Sequence, residues 1–104
     1  MLKKQFLKSK PVCKVTFRLA KEACETADSV KLVGDFNEWN VDEAVEMKAL
    51  KKGGFKTVLN LETGKNYEFR YLIDGETWEN DWEADQYAPN EFGTENSVVI
   101  LENA

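Results

Sequence analysis

Histidine is absent from all 104 residues. That removes the side chain most often used for proton transfer near neutral pH and the commonest metal ligand, so histidine-dependent triads and histidine-rich metal sites are excluded. Cysteine is scarce. Cys13 falls in a strand-like run and Cys24 in a polar loop, without a CxxC or zinc-type spacing. A disulfide between them is open to the chain, but nothing in the pattern indicates one. Long apolar runs are missing as well, so no stretch is long enough to span a bilayer. Residues 1–10 carry Lys3, Lys4, Lys8 and Lys10 but lack the apolar core of a secretory signal. A soluble, cytoplasmic protein is expected. There is no internal repeat, linker or low-complexity tract.

What is present suffices for one domain. With 42% hydrophobic residues, including three Trp, three Tyr and six Phe, the chain can bury one core but has no length for a second. A catalytic (β/α)8 barrel, at about 250 residues, is out of reach. The net charge is −5, from 14 basic and 19 acidic residues. Setting aside the four lysines of residues 1–10 leaves 10 basic (14 less those four) against 19 acidic, or −9. Such a body repels nucleic-acid phosphate, so a nucleic-acid partner is not expected.

Hydrophobic periodicity predicts strands throughout. Residues 12–19 alternate with period two, placing Cys13, Val15, Phe17 and Leu19 on one face. Residues 21–28 read as a loop with at most one helical turn, and 30–33 as the next strand. Residues 44–50 and 55–61 flank Lys51-Lys52-Gly53-Gly54, whose glycines can take the positive φ of a hairpin turn. Glu62-Thr63-Gly64-Lys65 is a second turn. Residues 66–73 form the clearest strand, with Tyr67, Phe69, Tyr71 and Ile73 expected inward and Glu68, Arg70 and Leu72 outward. After Asp74-Gly75 a short strand reaches Trp78, an acidic irregular loop covers 79–95, and 97–101 closes as a buried strand. Seven or so such strands predict an all-β fold, an antiparallel β-sandwich of immunoglobulin-like type over residues 12–104. Residues 1–11 form a basic tail or arm. Phe6 and Leu7 suit an extra strand along a sheet edge, while a disordered tail is the commoner outcome for such a terminus.

Two segments carry chemistry. Gly34-Asp35-Phe36-Asn37-Glu38-Trp39-Asn40 sets a tryptophan among polar turn formers directly after a strand. Arg70-Tyr71-Leu72-Ile73-Asp74-Gly75-Glu76-Thr77-Trp78 repeats the theme with a tight Asp-Gly turn. A sugar ring offers a patch of C–H groups on each face and hydroxyls at its rim, so it is held by flat aromatic rings with a few placed polar groups. Together the segments read as a sugar-binding platform. From pattern alone, Trp78 is balanced between core and surface. Phe36 is a better core candidate than Trp39, being nearer the preceding strand.

These motifs, with Phe69-Arg70-Tyr71-Leu72-Ile73-Asp74-Gly75 and Gly93-Thr94-Glu95-Asn96-Ser97, resemble the starch- and glycogen-binding modules of carbohydrate-binding family 48 over residues 12–101. Such modules occur in the beta subunit of AMP-activated protein kinase and beside the catalytic domains of glycogen-branching and debranching enzymes. The resemblance implies sugar stacking on Trp39 and Trp78, a donor from Arg70 where the family has lysine, and polar contacts from Thr94 and Asn96. It also implies an apolar contact from Phe92. Asn37, in the first motif, and Trp82, in the long acidic loop, are additional candidates. Glu76-Thr77 puts one extra residue before Trp78 relative to the kinase pattern. Arg70, Asn37, Thr94 and Asn96 each have a bland reading beside this one: a solvated cation, or turn formers bonding their own backbone.

The reading is a non-catalytic module that binds α-glucan (glycogen, starch or malto-oligosaccharide), with no cofactor or metal, and that brings a glycogen-metabolising enzyme or kinase to the polymer. The alternative is a protein-interaction sandwich without sugar affinity. Acidic pairs such as Asp35 with Glu38, or Asp81 with Glu83, are not read as glycosidase carboxylates, because so small a sandwich supplies no deep cleft to raise one pKa.

Overall fold

The computed structural model describes residues 2–102. Ten strands are seen among them: β1 (Leu2–Phe6), β2 (Val12–Leu19), β3 (Val30–Gly34), β4 (Val45–Glu46), β5 (Lys48–Ala49), β6 (Phe55–Glu62), β7 (Asn66–Ile73), β8 (Thr77–Glu79), β9 (Gln86–Pro89) and β10 (Glu95–Ile100). They form two antiparallel sheets, ordered β1-β2-β6-β5 and β4-β3-β7-β10-β9, with β8 paired to the far half of β7. The fold is the all-β sandwich that period-two alternation predicts.

The inner faces meet in one core. Cys13, Val15, Phe17 and Leu19 of β2 face Val30 and Leu32 of β3, Tyr67, Phe69 and Tyr71 of β7, and Val99 of β10. Phe17 packs edge-on to Phe69, with centroids 5.0 Å apart at 77°, and Phe69 packs edge-on to Tyr71 at 5.7 Å, the geometry that aromatic quadrupoles favour. Phe36 tilts onto Phe17 and Tyr67 from the turn after β3. Cys13 and Cys24 are free and buried, and burial pushes both thiols above their ordinary pKa.

Polar groups inside the sandwich are matched. The Tyr71 hydroxyl donates to Asp81 Oδ2 at 2.7 Å. Burial first, then the nearby Asp81 charge, pushes the phenol far above the usual tyrosine range, so it stays a protonated donor. Asp81 N donates to Ser97 Oγ at 2.9 Å, which pins the segment after β8 to β10.

Three details differ from the sequence reading. Leu72, expected to face outward into solvent, lies on the outer side of its sheet yet is only 4% exposed, because β8 brings Trp78 into register with it. Residues 44–50 do not make one strand: β4 pairs with β3, and β5 pairs with β6 in the other sheet. Met47, which donates its N–H to Val30 O at 2.8 Å, is the buried crossing point. The loop at 79–95 is not irregular throughout, since β9 pairs with β10 within it; Pro89 sits at the end of this edge strand, where no ladder donor is needed.

At the start of the chain, of the two readings left open, the arm is the one formed. Leu2–Phe6 pair with β2 in the same molecule, from Leu2 opposite Phe17 to Phe6 opposite Cys13. Lys4 then reaches across the open edge of the sandwich, donating to Ile100 O at 3.0 Å and pairing with Asp85 Oδ2 at 2.6 Å. Two sheets are thus pinned by one partly buried side chain. Removing residues 1–7 is expected to lower the urea midpoint of unfolding, because β2 loses one of its two partners and the core loses the packing of Leu2; an unchanged midpoint would contradict this role for β1.

Gly34 ends β3 where it lies closest to β7. A Cβ there would stand 2.5 Å from Glu68 O and 2.8 Å from Phe69 Cβ, so only glycine lets the strands approach this closely. Gly34→Ala is expected to cost about 1–3 kcal/mol, as overpacking typically does. A variant as stable as the parent in equilibrium unfolding would contradict it.

Candidate functional site

The outer face of the β4-β3-β7-β10-β9 sheet carries a depression. Trp39, Arg70, Trp78, Phe92, Thr94 and Asn96, the six residues singled out from the sequence, line one depression of about 870 Å³ there, with Asn90 and Glu91. Alternation along β7, β8 and β10 explains half of this: Arg70, Trp78 and Asn96 point away from the core because their neighbours point into it. Two loops supply the rest.

The first loop is the turn after β3. Asn37 Oδ1 accepts from Gly34 N at 3.0 Å, and its Nδ2 donates to Leu32 O at 3.1 Å. Asn37 is therefore a turn former and lies outside the depression. This brace carries two consecutive left-handed residues, Glu38 at φ 55 and Trp39 at φ 58, a conformation that non-glycine residues hold only under local constraint. Asp35 provides it: Oδ1 accepts from Trp39 Nε1 at 2.9 Å and Oδ2 from Glu68 N at 2.7 Å. The indole N–H is thus satisfied internally, and the ring offers its face.

Trp78 is 39% exposed and stands with its centroid 6.5 Å from that of Trp39, the planes inclined at 52°. The extra residue before Trp78 does not turn it away. Asp74 at φ 53 and Gly75 at φ 70 make the tight turn, and Asp74 Oδ1 ties it to the chain before β3 by accepting from Asp28 N and Ser29 N. The Arg70 guanidinium lies 5.9 Å from the Trp78 ring centroid, a cation–π distance. Its Nε is shielded from solvent and has no hydrogen-bond partner among the described residues, a deficit of about 1–3 kcal/mol in general.

The second loop, 90–94, is the tip of the β9–β10 hairpin. Asn90 Oδ1 accepts from Phe92 N at 3.0 Å and Thr94 N at 3.1 Å, while its Nδ2 donates to Thr94 Oγ1 at 2.8 Å and Asn96 Oδ1 at 3.1 Å. Asn96 in turn donates to Glu68 Oε1 at 3.1 Å. Gly93 takes φ 82. The loop is fixed by one amide, and Phe92 projects from it 82% exposed. Asn90 and Asp35 were not picked out as site residues from the sequence. Asn90 was legible in principle, because an Asn that bonds the backbone two residues on is a standard turn device.

The depression thus presents two inclined indole faces, a guanidinium, a projecting phenyl ring and a few amide and hydroxyl groups. That combination suits a neutral polyhydroxylated ring compound. A family model described as the glycogen recognition site of AMP-activated protein kinase matches residues 17–104. The chain belongs to that family. It is a carbohydrate-binding module for α-glucan of the glycogen type. Among solved structures, the enterobactin esterase FES from Shigella flexneri, crystallised in the presence of 2,3-di-hydroxy-N-benzoyl-serine, is similar at a TM-score of 0.73 and 12% identity. The match covers 99% of this chain and 33% of that one, and at this identity it speaks for the fold alone. No curated protein sequence matches the module.

Of the expected residues, Trp82 is the other one outside the depression; it lies in the segment after β8, beside a separate concavity. Of the acids considered and set aside as catalytic groups, Asp35 and Asp81 are occupied as structural acceptors, Asp35 as above and Asp81 by Tyr71 and by Glu83 N at 2.8 Å.

Asn90→Ala is expected to release the 90–94 loop and weaken glycogen binding several-fold while leaving the unfolding midpoint close to the parent, since its bonds are local to an exposed tip. Undiminished retardation of this variant in a glycogen gel would show that the loop has no part in binding.

Proposed function

We propose that this module is a non-catalytic, cytoplasmic tether that holds α-glucan chains on Trp39 and Trp78 and brings a glycogen-metabolising enzyme or kinase to the polymer. The observation that carries the reading is the 52° inclination of the two indole rings, 6.5 Å apart, on one exposed face. An α-1,4 chain curves, so successive glucosyl rings meet two inclined planes, whereas a flat β-1,4 chain needs coplanar ones. Arg70, held against Trp78, donates to hydroxyls at the rim. Thr94 and Asn96 fix the register, and Phe92 closes over the chain from the hairpin tip.

Several features support the absence of catalysis and the cytoplasmic setting. Asp35 beside the site uses both carboxylate oxygens as hydrogen-bond acceptors for Trp39 and Glu68. Two buried cysteines left as free thiols suit a reducing compartment.

Native electrophoresis through glycogen, amylose and cellulose tests the binding mode. Retardation is expected in glycogen and amylose and not in cellulose; equal retardation in cellulose would overturn the inclined-ring account. Trp39→Ala and Trp78→Ala are each expected to weaken binding by about 1–3 kcal/mol, the range of aromatic anchors, with little change in stability. A loss of several kcal/mol of folding stability in either would assign that ring to the core instead. Binding is further expected to be nearly independent of salt, because stacking and neutral hydrogen bonds dominate.

A further inference from the structure

Trp82 is the tryptophan that the depression on the outer sheet face leaves out. Its ring is 57% exposed, yet its placement is fixed. Its Nε1 donates to Glu79 Oε1 at 3.3 Å, and the same oxygen accepts from Asn80 N at 3.1 Å. The next residue back, Asp81, is 1% exposed; Ser97 and Tyr71 hold it, and the Tyr87 hydroxyl donates to its carbonyl. A buried anchor therefore carries an indole that faces solvent.

Beside this ring is a second concavity of about 280 Å³, with Arg18, Lys21, Glu22, Lys52 and Glu83 on its walls. It lies where β2 runs out against the 3-10 turn Lys21–Ala23 and the β5–β6 turn. No residue lines both concavities. Its size is at the low end for small-molecule sites, which start at about 300 Å³, so it suits one ring. Arg18, Lys21 and Lys52 share the lining with the acids Glu22 and Glu83 and with apolar Leu19. Charges of both signs favour no ion of one sign, and polar and apolar surface line the walls in similar measure. Polar side chains beside a flat aromatic wall suit the hydroxyl rim and C–H face of a hexopyranose.

We propose that Trp82 and this concavity form a second, weaker contact for α-glucan, taking a single glucosyl unit of a polymer whose main hold is the Trp39–Trp78 surface. The inference rests on the tether reading above. One stacked ring with a few hydroxyl contacts binds feebly on its own. Polymer held at the first surface raises the local concentration of glucosyl units at the second, so the pair gains avidity on a branched particle that a short oligosaccharide cannot supply.

The three tryptophans make the test direct, since each gives its own indole N–H signal by NMR. Titration of the whole chain with maltoheptaose is expected to move the Trp39 and Trp78 signals at low concentration and the Trp82 signal at higher concentration with a separate curve. The Trp82 shift should persist in a Trp39→Ala/Trp78→Ala variant. Trp82→Ala should leave maltoheptaose affinity at the first surface unchanged while weakening retention by glycogen about tenfold. If Trp39 and Trp78 respond and Trp82 stays fixed throughout, the second contact is overturned and the tether reading stands. If Trp82 alone responds, the tether reading fails and the new site survives. If no indole responds, both fall.

Discussion

The carboxylate of Asp35 is the hinge on which the site depends. One oxygen takes the indole N–H of Trp39 and the other takes the backbone N–H of Glu68, a residue of the strand that carries Arg70. Trp39 sits on a turn with two successive left-handed residues and would not hold one direction unaided. Coupled to β7 through Asp35, it is fixed relative to Arg70 and Trp78, which β7 and β8 position by pleat alone. The close approach that allows this coupling depends on the missing side chain at Gly34.

The sandwich separates stability from recognition by strand face. On β7 the inward residues Tyr67, Phe69 and Tyr71 build the core, while Arg70 between them lies on the outer face, its Nε without a hydrogen-bond partner among the described residues. Polar loops complete the surface without drawing on the core: Asn90 ties Phe92, Thr94 and Asn96 into one unit through local bonds. A recognition surface built this way can change its side chains with little effect on folding. Membership in the glycogen-recognition family fits that arrangement.

Much of this was legible in the sequence, for stated physical reasons. Alternation in residues 12–19 and 66–73 reports burial on one face, and the glycines of the 53–54 turn, at φ 98 and 86, do the bending expected of them. The six residues gathered by the two motifs and the Gly-Thr-x-Asn loop do converge on one depression. What sequence could not reveal depends on partners far along the chain. Leu72 looks outward by parity but is covered by Trp78 across the β7–β8 ladder. Residues 44–50 look like one strand, yet the chain changes sheets at Met47. Trp82 was an additional candidate because it lies in a long acidic loop, and Asp81, buried against Tyr71 and Ser97, turns it away from the depression.

The central claim is that two inclined indoles on the outer sheet face receive the sugar chain. A crystal structure of the protein with maltoheptaose tests it most directly. The account predicts adjacent glucosyl rings stacked on Trp39 and Trp78, with the Arg70 guanidinium within hydrogen-bonding distance of a hydroxyl. A chain bound on the opposite sheet, with both indoles left uncovered, would contradict it.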